Sequence, residues 1–152
     1  MSALKFLSPL IVGTLLLTPA SALAQVKPRN AAERTVVALI EMTFNAKKPA
    51  EAFEKYVGPY YTQHNPTAPD GKEAIVRIFS EWLPTAPGLH YDIKRIVSHR
   101  DMVWIHSHVT MGPDDRGQAV VDIFRIENGK VVEHWDVGTP VPEKALNDNT
   151  MF

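Results

Sequence analysis

The 152-residue chain contains no cysteine, which excludes a disulfide framework, a thiolate metal site and thiol catalysis. It also lacks an excess of either charge: 16 lysines and arginines face 17 aspartates and glutamates. No basic stripe is present, so a nucleic-acid or anionic-membrane partner is not expected. Long apolar runs are absent too, except at the start. There Lys5 precedes an apolar segment from Phe6 to Thr18, interrupted by Pro9 and Gly13 and followed by Pro19 and small residues. That segment is too short and too broken to span a bilayer comfortably, and Ala22-Leu23-Ala24 offers a small-x-small cleavage site. The layout predicts a signal peptide over residues 1–24, cleaved after Ala24, and an exported (periplasmic or secreted) protein. An uncleaved anchor is the alternative; either leaves the working domain outside the cytoplasm. The mature charge is then about -2, no membrane association is expected after cleavage, and residues 25–152 suit one domain with one core.

What is present is a change of period. Asn30 can cap a helix with Glu33 in capping-box position, and Val36, Val37, Ile40 and Phe44 form its apolar stripe, leaving Glu33, Arg34 and Glu41 for water. Pro49 opens a second helix with Ala52, Phe53 and Tyr56 on its buried side, ended by Gly58-Pro59. A short extended stretch, Tyr60 to Asn65, leads to a loop. Asp70 can then cap a third helix carrying Ile75, Ile78, Phe79 and Leu83, with Trp82 in the core. From Leu89 onward the pattern alternates. Strands are expected from Leu89, over Met102 to Met111, Ala119 to Glu127 and Val131 to Val137, the last two joined by a hairpin at Asn128-Gly129. Helices followed by an antiparallel meander indicate an α+β domain, with helices gathered on one face of a curved sheet.

Candidate chemistry sits on the strands. Asp122 interrupts Val120-Val121-Asp122-Ile123-Phe124, where a buried unpaired carboxylate is expensive. It is either a solvent-facing aspartate or an acid/base group whose pKa an apolar wall raises. Histidine is the natural partner for such a group. His106 shares a strand face with Trp104 and His108, opposite Val103, Ile105, Ser107 and Val109, and both faces are partly apolar, so alternation does not identify the pocket side. The hairpin leaves two registers open. A two-residue Asn128-Gly129 turn sets Asp122 opposite Trp135, with Phe124 and Glu133 on that face; a three-residue loop with a glycine bulge sets it across from His134, with Asp136 alongside.

The segments Tyr61-Thr62-Gln63-His64-Asn65-Pro66, Asp70-Gly71, Val121 to Lys130 and Glu133-His134-Trp135-Asp136-Val137 resemble the SnoaL-like polyketide cyclase family. The resemblance spans nearly all of the mature chain and implies the cone-shaped α+β fold of nuclear transport factor 2-like proteins, with homodimerisation. It also implies an aspartate and a histidine on neighbouring strands acting as acid and base in aldol closure without metal or cofactor; Asp122 and His106 occupy the matching strands, and His64 resembles a further pocket position. The reading is a cofactor-free acid/base enzyme acting next to a carbonyl on a small apolar substrate. Asp122, His106 and His64 would be its catalytic residues, and Tyr61, Trp135 and His134 would contact substrate. A non-catalytic binding protein of the same fold is the alternative, and a divalent metal held by His64, His106 and Asp122 is a third reading.

Overall fold

The computed structural model describes residues 26–152; the expected signal peptide and its cleavage point lie outside the described residues. Helix α1 (Ala31–Ile40) continues into a wider π turn over Glu41–Asn45. Asn30 caps it as expected, its Oδ1 accepting the Glu33 N–H at 2.9 Å. Glu33, however, does not face water. It is 0% exposed, and its carboxylate accepts from the Arg29 backbone, the Arg29 guanidinium and the Ser98 hydroxyl at 2.7, 3.0 and 2.8 Å. A capping glutamate that turns back along its helix ends against Ser98 of the sheet, and these three donors replace the water it loses.

Helix α2 (Pro49–Tyr56) begins at Pro49 and ends before Gly58-Pro59, as the sequence predicts. Both belong to strand β1 (Val57–Gln63), which runs parallel to the last strand at one edge of the sheet. An edge tolerates a proline that cannot donate to the ladder. Helix α3 (Lys72–Trp82) follows. Its cap position is Gly71 at φ +92°, with no side-chain cap. Asp70 is used elsewhere, accepting the Gln63 N–H at 2.8 Å and so tying the end of β1 to the loop. Trp82 is 37% exposed rather than core.

Strands β2 (His90–His99), β3 (Met102–Thr110), β4 (Gln118–Glu127) and β5 (Lys130–Pro140) form the expected meander, and the sheet order is β1-β5-β4-β3-β2. The α+β class therefore holds, with one refinement: β1 precedes α3 and makes the sheet mixed. The helices cover one face. Val36, Leu39, Ile40, Ala52, Phe53 and Ile75 pack there against Val103, Ile105, Phe124 and Val131 of the sheet. Among the described residues no helix is long and apolar enough to cross a membrane.

The hairpin resolves the register in a third way. Asn128 and Gly129 take φ +51° and +77°, a tight two-residue turn between the paired Glu127 and Lys130. One pair later Ile126 faces Val131, but Arg125 faces Glu133, so Val132 is an extra residue in β5. This bulge turns the rest of β5 over. Asp122 is set opposite Asp136 and Phe124 opposite His134, while Trp135 pairs with Ile123. The turn length matches the first register considered, and the residues sharing Asp122's face match the second.

Candidate active site

Between the helices and the inner face of the sheet lies a cavity of about 470 Å³. Its walls are mainly apolar and aromatic, with Phe44, Phe53, Phe79, Tyr91 and Phe124 inside and Ile78, Trp82 and Met111 among its exposed or partly exposed side chains. Six of its polar residues converge from three strands and the segment after β1: Tyr61, Gln63, Asn65, Asp122, His134 and Asp136. A separate, shallower depression between Lys47–Glu51 and Phe79–Pro87 contains no buried carboxylate.

Asp122 is 3% exposed. Its Oδ1 lies 3.1 Å from His134 Nε2, and its Oδ2 has no hydrogen-bond partner. Burial pushes the Asp122 carboxyl above its ordinary value, against the pull of His134, and the nearby charge of Asp136 adds to the rise. His134 stacks on Phe124 with ring centroids 4.8 Å apart. Its other nitrogen, Nδ1, is 3.0 Å from Gln63 Oε1.

That second contact fixes the imidazole tautomer. Gln63 Oε1 also accepts the Asn65 backbone N–H at 2.9 Å, and a backbone N–H only donates, so the amide oxygen must face it. The same oxygen can only accept from His134, which places a proton on Nδ1. Neutral His134 then turns a lone pair on Nε2 toward Asp122. The 3.1 Å contact closes with one proton between them, carried either by the carboxyl or by the imidazole. Gln63 Nε2 in turn donates to the Tyr61 hydroxyl at 3.3 Å, leaving the phenolic hydrogen free to point elsewhere. Asn65 Nδ2 lies 2.8 and 2.9 Å from the two Asp136 oxygens. Burial, then the charges of Asp122 and Asp136, push both Tyr61 and Tyr91 far above the usual phenol value, so both remain neutral hydrogen-bond donors.

Of the six residues singled out by sequence, Asp122, His134 and Tyr61 meet in this cavity. The other three lie on the opposite face of the sheet. His106 is one residue out of phase with Ile105, which pairs with Asp122, so it points away from the helices. Its Nδ1 accepts from the Arg95 guanidinium at 3.0 Å, and burial with the Arg95 charge holds its pKa below the ordinary histidine value. The histidine expected to act with Asp122, His106 of β3, is thus corrected to His134 of β5. The polar residue that β3 turns inward is Ser107, whose buried Oγ has no partner. His64 and Trp135 stack on each other at 4.4 Å, nearly parallel, and His64 Nε2 is 2.9 Å from Glu133, which Arg125 also holds.

Gln63, Asn65, Asp136 and Tyr91 were not singled out. A signal for two of them was present: in an extended Tyr61-Thr62-Gln63-His64-Asn65, a period of two groups Tyr61, Gln63 and Asn65 on one face and His64 on the other. The metal trio considered from sequence does not assemble, because His64 and His106 lie away from Asp122. Asp122, His134 and Asp136 do come together, with one ligand atom from each within 4.8 Å of the others, and one imidazole with two carboxylates is a donor set that suits a divalent ion.

Comparison with known proteins agrees with this architecture. Residues 36–134, more than half of the chain, match the family model of the SnoaL-like domain. No curated protein sequence matches the chain. Among solved structures, a candidate polyketide cyclase from Acidithiobacillus ferrooxidans superposes with a TM-score of 0.62 at 14% identity, over 74% of this chain and 91% of that one. TsrD from Streptomyces laurentii gives 0.59 at 21% identity, covering 72% and 89%. AclR from Streptomyces galilaeus, a candidate hydroxylase, gives 0.57 at 23%, covering 71% and 88%. An NTF2-like protein from Cytophaga hutchinsonii gives 0.59 at 15%, covering 76% and 96%. At these identities the likeness establishes the fold and leaves the reaction to the site. By its family match and its architecture, the chain belongs to the SnoaL-like family, with an NTF2-like fold.

Proposed function

We propose that this protein is an acid/base enzyme that needs no cofactor, abstracting and returning a proton next to a carbonyl on a small, largely apolar substrate. The observation that carries the reading is the buried Asp122 carboxylate, with one oxygen on His134 and the other, Oδ2, unpartnered in an apolar cavity. In the ion-pair form, with the shared proton on His134, Oδ2 is the base. It takes a hydrogen from the carbon beside the carbonyl. The C–H electron pair moves to the carbonyl oxygen as an enolate, which the free Tyr61 hydroxyl stabilises. The new carboxylic acid then returns its proton, to another carbon in an isomerisation or to the alkoxide formed when the enolate carbon attacks a second carbonyl in an aldol closure.

The N-terminal segment supports export, and the outer sheet face supports a homodimer, since Val97 and Val137 are 52% and 66% exposed there beside the half-buried Trp104 and Trp135. Exchange in D₂O tests the chemistry. Deuterium should enter aryl ketones next to the carbonyl faster with wild-type protein than with Asp122→Asn. Equal rates would sink the reading and leave a binding protein of the same fold.

A further inference from the structure

The cavity holds Asp122 and Asp136, and no lysine or arginine is among the described residues that line it. Among the described residues that line it His134 is the only basic side chain, and the proton it shares with Asp122 leaves the charge of Asp136 unbalanced; when that proton departs, two carboxylates remain. Asn65 gives Asp136 an amide but no charge. The half-buried ammonium of Lys47 donates to the Phe44 and Leu89 carbonyls and borders the shallow depression, not this cavity. The potential inside is therefore negative, and the charges of Asp122 and Asp136 add to the rise that burial gives the Tyr91 phenol. The same cavity is lined by stacked and edge-on rings: Phe44 lies 4.5 Å from Tyr91 and 5.1 Å from Phe79 between centroids.

Aromatic faces and carboxylates together recognise organic cations, because ring quadrupoles and anions both attract an ammonium while the rings cover its apolar body. We infer that the natural ligand of this cavity carries a basic amine, whose ammonium group is received by the Asp136 carboxylate with the charge of Asp122 beside it. A metal ion would engage the same carboxylates but leave most of about 470 Å³ of apolar space unused. The inference rests on the proposed acid/base reading for its catalytic meaning only: the missing positive charge would arrive with the substrate and offset the enolate.

The test is equilibrium binding to the purified protein by calorimetry at neutral pH, using 2-phenylethylamine and 3-phenylpropylamine against the matching alcohols and carboxylates. Each amine should bind at least about tenfold more tightly than its alcohol, and the carboxylates most weakly. Asp122→Asn and Asp136→Asn should each pull the amine-to-alcohol ratio toward one while sparing alcohol affinity, with circular dichroism confirming that both variants are folded. Amines binding no better than alcohols, or a preference that survives both substitutions, would overturn the inference. So would stoichiometric Zn²⁺ that binds more tightly than any amine and displaces it. A protein that prefers amines but exchanges no proton keeps this inference and loses the proposed reaction; the opposite result separates them the other way.

Discussion

Asp122 and His134, twelve residues apart, share one hydrogen bond of 3.1 Å on the inner face of the sheet only because Val132 bulges out of β5. Without that extra residue the face would present Glu133 and Trp135 to Asp122 instead. The site's chemistry therefore depends on one unpaired backbone position.

Asp122→Asn separates stability from chemistry. Burial raises the Asp122 pKa, so the folded protein binds this proton more tightly than the unfolded chain does. The ionised form costs stability above the folded value, and the cost fades as pH falls through that value toward the ordinary aspartate range. An amide is neutral throughout and can donate to His134 Nε2. Urea denaturation at high pH should show the variant more stable by about 1 kcal/mol, with the gap closing on acidification, while D₂O exchange is lost.

Gln63→Leu should release the imidazole tautomer. Without the acceptor at 3.0 Å, nothing fixes the proton on Nδ1, and ¹⁵N NMR of His134 should report a shift toward the Nε2–H form. Proton exchange should fall about 10²-fold, and Gln63→Glu, which restores an acceptor at Nδ1, should recover the tautomer. An unchanged His134 spectrum in Gln63→Leu would contradict the assignment.

His106→Ala tests the corrected partner. Because His106 sits on the outer face, hydrogen-bonded to Arg95 and beside Phe152, exchange rates should stay within about twofold of wild type, and stability within about 0.5 kcal/mol. A large kinetic loss would mean that the outer face takes part in the chemistry.

Glu33→Ala removes a buried carboxylate that holds Arg29, α1 and Ser98 of β2 together. Thermal denaturation should show a loss of about 2 kcal/mol at neutral pH. Burial alone would raise the Glu33 pKa, but the Arg29 and Ser98 hydrogen bonds outweigh it and hold the carboxyl below its ordinary value. Its contribution is present above the ordinary glutamate value and disappears as pH falls through the lower, folded one. The difference between wild type and variant should therefore shrink in strong acid.

By itself the sequence determined the class of fold and the place of the carboxylate. Apolar periods of three to four and then of two, Asn30 as a cap, Pro49 at a helix start and Asn128-Gly129 as a turn are local signals, and local backbone preferences suffice to satisfy them. An aspartate inside an apolar strand also marks itself, because burying it has a cost wherever the chain puts it. Tertiary structure decided everything that depends on which face is covered. Both faces of β3 read as partly apolar, and only helix packing buried Val103, Ile105 and Ser107 and turned His106 outward. Strand β1, with Gly58 and Pro59 in it, exists because β5 supplies a parallel partner more than sixty residues away, and its alternation then delivers Gln63 and Asn65 to the cavity and His64 to the other side. The bulge at Val132 completed the selection, since a one-residue shift in pairing exchanges every side chain between faces, and no local preference records which face the helices will cover.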